Sequence, residues 1–184
     1  MKLLVRLSGA IDRLNTWIGE SASLLVLAMV GLGAFNAVAR YSGRFIEVQL
    51  SSNAFIEGQW YLFSLLFLLG AGYTLQRDQH VRVDVLYGRL GPRAQAWIDL
   101  VGALLFLLPF CAFALWSSFP SVQNSWSVWE QSPDPGGLPR WPLKSMILVS
   151  FGLLFLQGIS ELIKRIGRLR GDLPKPEQEA PHGG

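Results

Sequence analysis

Apolar residues in this chain are bunched into long runs separated by short polar stretches, and the runs predict helices that cross a membrane. The first, SLLVLAMVGLGAFNAVA, lies inside Ser21 to Ala39, 19 residues. As a helix it rises roughly 28 Å, close to a hydrocarbon core of about 30 Å. The second runs from Trp60 to Leu75, 16 residues, and gains a turn or two upstream through Phe55 and Ile56, with Glu57 near the interface. The third follows Gly91-Pro92, a proline suited to a first helical position. It continues through Trp97 and Asp99 to about Phe119, with Pro109 as a kink. The fourth starts at Pro142 and continues to about Ile163. The expected fold class is an all-α integral membrane protein with four transmembrane helices. Its membrane domain covers residues 17–165, with spans at about 17–40, 54–76, 92–119 and 142–163.

The polar stretches have patterns of their own. Residues 1–16 place Leu3, Leu4, Leu7, Ile11 and Leu14 on one helical stripe beside Lys2, Arg6 and Arg13. That predicts an amphipathic helix in the cytoplasmic headgroup layer. In the loop after the second span, Asp84 is placed to cap a short helix holding Val85, Leu86 and Leu90. The stretch from Pro120 to Trp141 reads as a long outer loop, with turns at Pro133, Pro135, Gly136, Gly137 and Pro139. Val122, Trp126 and Trp129 fall at helical spacing there, an apolar face for the interface, where Trp is enriched. Residues 166–184 form a tail that becomes polar and Pro-rich beyond Gly171, a composition expected to be disordered.

Composition then excludes a water-soluble domain. Of 184 residues, 51% are apolar and only 16% charged, against about 25% charged in soluble proteins; the mean hydropathy is +0.33. The pI of about 9.3 raises nucleic acid as a partner, but the charge locations argue for membrane lipids instead. Twelve of the 16 Lys and Arg residues lie in the amino-terminal segment, the middle loop and the carboxy-terminal tail. The remaining four are Arg40, Arg44, Arg140 and Lys144. Since cytoplasmic flanks carry the excess, both termini and the middle loop are expected inside (N-in/C-in). Ala37-Val38-Ala39 leaves open a cleaved signal over the first span.

Catalytic chemistry has little support. The two histidines, His80 and His182, lie outside the spans, so paired intramembrane haem ligands are missing. No Cys/His cluster has metal-ligand spacing, and no phosphate-binding glycine loop is present. Neither enzyme activity nor a cofactor is expected. The single cysteine, Cys111, sits in an apolar run and reads as a small packed hydrophobe. Glu20, Arg40, Glu57, Asp99, Lys144 and Glu161 all fall near span edges, where snorkelling accounts for them. Mid-depth polar positions are limited to Gly, Ser, Asn36, Tyr73 and Gln157, residues that favour helix packing. Gly31 and Gly33, Gly70 and Gly72, and Gly152 and Gly158 are candidate close-approach faces for a neighbouring helix, internal or from another subunit. Asn36, Arg40, Glu57, Trp60, His80 and Asp84 are the candidate partner-interface residues. The alternatives for Arg40 and Glu57 are contact with lipid phosphate and with water respectively.

The order of short motifs resembles a known family. Asn36…Arg40-Tyr41 is followed by Asn53-Ala54-Phe55-Ile56-Glu57-Gly58-Gln59-Trp60-Tyr61-Leu62-Phe63, Gly70-Ala71-Gly72-Tyr73-Thr74-Leu75 and His80-Val81-Arg82-Val83-Asp84. This order resembles the small membrane subunit (DctQ-like) of tripartite ATP-independent periplasmic (TRAP) transporters. The stretch Glu130-Gln131-Ser132-Pro133-Asp134-Pro135-Gly136-Gly137-Leu138-Pro139, with Trp141 and Lys144, looks like one branch of it. The resemblance covers residues 15–165. It implies a multi-pass protein of the bacterial inner membrane, a large membrane subunit as heterodimer partner and a periplasmic substrate-binding protein. It further implies sodium-coupled import of organic acids, with the small subunit a scaffold that binds no solute itself. The competing readings are an autonomous small oligomeric transporter or channel, and an anchor for a redox complex. The charge bias makes one direct prediction: a fluorescent-protein fusion at the carboxy terminus should fluoresce inside the cell. A cysteine at Gly136 should react with a membrane-impermeant maleimide added outside, and the opposite pattern would invert the topology.

Overall fold

The computed structural model describes residues 2–46, 51–79 and 87–170. These residues form helices and connections, with no strand among them. Helix α1 is Lys2–Ile46, α2 is Asn53–Gln76, α3 is Pro92–Gly102, α4 is Leu108–Ser127 and α5 is Trp141–Leu169; a π-helical turn, Ala103–Leu107, joins α3 to α4. Four helical segments are long and apolar enough to cross a membrane, α3 and α4 together making the third.

Three features differ from the pattern read along the chain. The amphipathic segment 1–16 forms, but as the beginning of one continuous helix of 45 residues, about 67 Å long. No proline interrupts it, and Gly19 is packed against Tyr73 of α2. The third span does not end at Phe119: α4 passes through Pro120 to Ser127, so the outer loop shrinks to residues 128–140. Pro120 is on an exposed face, and the N–H it lacks leaves one carbonyl of its own helix without the usual intrahelical partner. Pro109 follows a wide turn in which the Leu108 N–H bonds the Ala103 carbonyl, five residues back. The extra residue moves the preceding turn away from the proline ring. The fourth helix continues to Leu169. His80, Asp84 and the tail beyond Gly171 lie outside the described residues.

Two helices end in the same device. Asp78 and Trp129 adopt φ of 55° and 48°, the left-handed conformation that glycine usually supplies at a helix end. After α2, Asp78 N–H bonds the Leu75 carbonyl and Gln79 N–H the Thr74 carbonyl, both at 3.1 Å. After α4, Trp129 N–H bonds Trp126 O at 3.3 Å and Glu130 N–H bonds Ser125 O at 2.9 Å. Each pair satisfies carbonyls that the last turn would leave unpaired.

Helices α1 and α2 pack antiparallel. Phe35 meets Phe55 with ring centroids 5.2 Å apart, Gly33 faces Gln59 and Gly58 faces Leu32. At the other end, the Thr16 hydroxyl donates to Gln76 Oε1 at 3.1 Å. From Phe35 to Thr16 is about 28 Å along the axis, so the pair is matched over one hydrocarbon thickness. Helix α5 is the hub: it touches α1, α2, α3 and α4. Antiparallel α1 and α5 bring the amino terminus and the end of α5 to one side, as an even number of spans requires.

The glycine pairs divide neatly. Gly33, Gly72 and Gly158 are pressed against Gln59, Asn15 and Leu107–Leu108, whereas Gly31, Gly70 and Gly152 have nothing within 4 Å. One member of each pair serves internal packing and the other faces outward. Gly72 is the tightest, because a Cβ there would collide with Asn15 Oδ1, and Asn15 is fully buried. Gly72→Ala should therefore lower unfolding free energy by about 1–3 kcal/mol, the usual cost of overpacking. In an Asn15→Ala background the same change should cost much less, measured by denaturation in detergent; equal costs in both backgrounds would show that Asn15 is not the obstacle.

Candidate partner interface

Functional geometry is concentrated at the two ends of the bundle. At the end where α1 begins and α5 finishes, a polar ladder joins the two helices. Ser8 and Ser160 share a hydrogen bond at 2.7 Å. Asp12 Oδ1 accepts from Ser160 Oγ at 2.7 Å and from Gln157 Nε2 at 2.9 Å. Asn15 Nδ2 donates to Gln157 Oε1 at 2.9 Å. Ser8, Asn15, Gln157 and Ser160 are all buried. Ion pairs extend the ladder outward: Lys164 bridges Asp12 at 3.2 Å and Glu161. Arg165 meets Asp99 of α3 at 2.7 Å, and that carboxylate also accepts from the Tyr87 hydroxyl at 2.8 Å.

Gln157 and Asp99 were visible in the sequence as isolated polar positions, but their partners were not. Asp12 was missed, since a lone acid in a basic leader gives no sign of facing inward. A signal for it did exist. Ser8, Ile11, Asn15, Gly19 and Ala22 recur every three or four residues, as do Ser150, Leu153, Gln157, Ser160, Lys164 and Gly167 on α5. In lipid such small and polar stripes mark the packed face.

At the opposite end, one face of α2 holds the 128–140 loop. Asn53, Glu57 and Tyr61 are spaced by four, hence stacked on one side of the helix. Asn53 Nδ2 donates to Pro135 O at 3.0 Å. Glu57 accepts from the Leu138 N–H at 2.6 Å and from the Ser132 hydroxyl. The Tyr61 hydroxyl donates to the Pro139 carbonyl. A Cβ at Gly137 would crowd both Ser132 and the Glu57 carboxylate, so this turn closes only around a glycine. From its other side the loop is tied to α4 and α5. Trp126 Nε1 donates to Ser145 Oγ at 2.7 Å, Lys144 pairs with Glu130, and Trp141 packs on Trp126 and Trp129 at 4.3 and 5.3 Å. The loop thus bridges α2 to the third and fourth spans.

The expected interface residues separate accordingly. Glu57, expected at an exposed edge, is only 3% exposed. Its carboxylate turns to the loop, whose N–H and hydroxyl donors replace water. Trp60, on the neighbouring face of α2, is 56% exposed. Asn36 and Arg40 do not bond each other; both line an open groove of about 480 Å³ with Ser51, Ser52, Asn53, Ile56 and Pro135. The Asn36 Oδ1 atom is buried without a hydrogen-bond partner. His80 and Asp84 lie outside the described residues. Among the described residues no group of three or more His, Cys, Asp or Glu side chains is placed to hold a metal ion.

Lys144, the first cause, holds the Glu130 carboxyl below its ordinary value, with the Ser125 hydroxyl adding to it. A depressed carboxylate stabilises the folded loop above its ordinary pKa and loses that contribution as pH falls through the lowered value. Fluorescence of the Trp126–Trp129–Trp141 cluster should therefore stay constant from neutral pH through the ordinary carboxylate range and change only below it. Lys144→Gln should move the change to higher pH, and an unmoved midpoint would remove Lys144 as the cause.

Residues 43–168 match the family model described as tripartite ATP-independent periplasmic transporters, DctQ component. The match takes in the Glu57 latch, the 128–140 loop and nearly all of α5, and leaves most of α1 outside. No curated protein and no solved structure matches the chain.

Proposed function

The chain belongs to the DctQ family of TRAP small membrane subunits, and from that premise we propose that it is the static scaffold for a large transport subunit and handles no solute itself. As a member of that family it is a multi-pass transporter component of the inner membrane and not an enzyme. The family works in tripartite systems beside a large membrane subunit and a periplasmic binding protein. The finer reading is a sodium-coupled importer of organic acids in which substrate and sodium are bound by the larger partner. The N-in/C-in orientation places the 128–140 loop on the periplasmic side, where it offers a firm plate to the binding protein. Trp60, Arg40 and the open faces at Gly31, Gly70 and Gly152 are the proposed contacts with the large subunit; Asn36 lines the same groove as Arg40. Glu57 acts indirectly, by fixing the loop, and His80 and Asp84 remain proposed contacts on the cytoplasmic side.

The observation that carries this reading is that the charged and hydroxyl groups between α1 and α5 are bonded to one another. Asp12, Gln157, Ser160 and Lys164 are joined in one network. An ion or solute path needs groups free to exchange ligands. Reconstituted alone into liposomes, the subunit should show no uptake of organic acid down a sodium gradient. Uptake should require the large subunit and the binding protein together, and sodium-driven transport by this chain alone would overturn the scaffold reading.

A further inference from the structure

The amino-terminal part of α1 extends beyond the end of α2 alongside α5, and it lies outside the residues matched to the family. Thr16 meets Gln76, the last residue of α2, so α1 continues about 20 Å beyond α2 in an unbroken helix. Its inner face is fixed to α5 by Ser8 and Asp12, and Ile11 between them is buried. Its outer face is apolar: Leu3 is 78% exposed, Leu7 49% and Trp17 68%.

Two facts on this arm identify what covers that face. The first is height. Headgroups add only about 5–8 Å beyond each side of the hydrocarbon, and an average tilt of about 20° barely shortens the overhang. Trp17 and Leu14 lie near the end of α2, within reach of lipid. Leu7 and Leu3 stand roughly 13 and 20 Å beyond Thr16 along the helix, past the headgroup layer, and the arm cannot bend back because it is clamped to α5. The second is charge. Asp12 is the only acid among residues 2–17, and it is turned inward to Lys164, Ser160 and Gln157. Arg6 and Arg13 remain exposed beside the leucines.

We propose that Leu3 and Leu7 form a docking face for the cytoplasmic surface of the large membrane subunit, which meets them with an apolar groove rimmed by carboxylates. The proposal rests on the scaffold reading and adds a contact outside the bilayer. It also gives a reason for the ladder, which holds the arm upright with its leucines aimed away from α5.

The test uses single cysteines at Leu3 or Leu7 in the full chain, with the native Cys111 changed to Ser. A cysteine at Leu24, at membrane depth, serves as the unreactive control. Each variant is reconstituted alone, in vesicles of phosphatidylcholine or phosphatidylglycerol, and together with the large subunit, then exposed to an impermeant maleimide on the side of the amino terminus. Both cysteines should react readily when the subunit is alone, in either lipid, and at least tenfold more slowly in the complex. Protection by phosphatidylglycerol vesicles alone would assign the face to anionic lipid and overturn the proposal. Equal labelling in an intact complex would also overturn it while leaving the scaffold reading in place. Failure of the large subunit to co-purify with the unsubstituted chain would instead defeat the scaffold reading, and this contact with it.

Discussion

Helices in a bilayer gain little by burying leucine against leucine, because lipid tails are equally apolar. What holds this bundle is therefore its small and polar positions, above all the ladder from Ser8 to Gln157 between α1 and α5. Amide and carboxylate groups in an apolar setting are costly unless paired, and here Ser8, Asp12 and Asn15 each bond a side chain of α5, with only the Asn15 Oδ1 atom left without a partner. That requirement fixes register. If α1 slipped by one residue, Asp12 would lose Lys164 and Gln157, and Asn15 would no longer meet the gap at Gly72.

The second constraint acts at the other end. The third span packs chiefly on α5, so the α1–α2 pair and the α3–α4 span are held on opposite sides of the hub. The 128–140 loop closes that gap by reaching from the tryptophan cluster to Asn53, Glu57 and Tyr61. A buried carboxylate with two donors from one loop is a strong anchor, since charge-assisted hydrogen bonds are among the stronger polar contacts. Closure at both ends agrees with the proposed static role. The outward faces carry exposed phenylalanines, leucines and open glycines.

Much of this was legible in the chain. Four long apolar helices and their order followed from run length. The close approach of glycines was readable too, though not which of each pair served internal packing. Pro109 marked a disturbance in the third span, but not its form, a π turn at Ala103–Leu107 after which Leu107 and Leu108 lie against Gly158. Pro120 and the Pro-Gly-rich stretch pointed to an early exit, yet α4 continues to Ser127 because Trp126 and Val122 have α5 and the loop to pack against. Trp129 at a helix end could not be anticipated, since a tryptophan rarely adopts the left-handed conformation seen there; Asp78 is of a type that adopts it more readily.

Sequence by itself determined that this protein lives in a membrane, how many times it crosses and that it carries no familiar catalytic set. Those outcomes depend on the apolar length of each run and the sign of its flanks, which are properties of neighbouring residues. Only the tertiary structure decided which polar side chains stay exposed and which form internal bonds. Glu57 reads as a charge near an interface and Asp12 as an unremarked acid in a basic leader, yet both turn inward because a partner far along the chain, Leu138 or Lys164, supplies what water would otherwise provide. Such pairings join positions far apart in the chain, so no local pattern contains them.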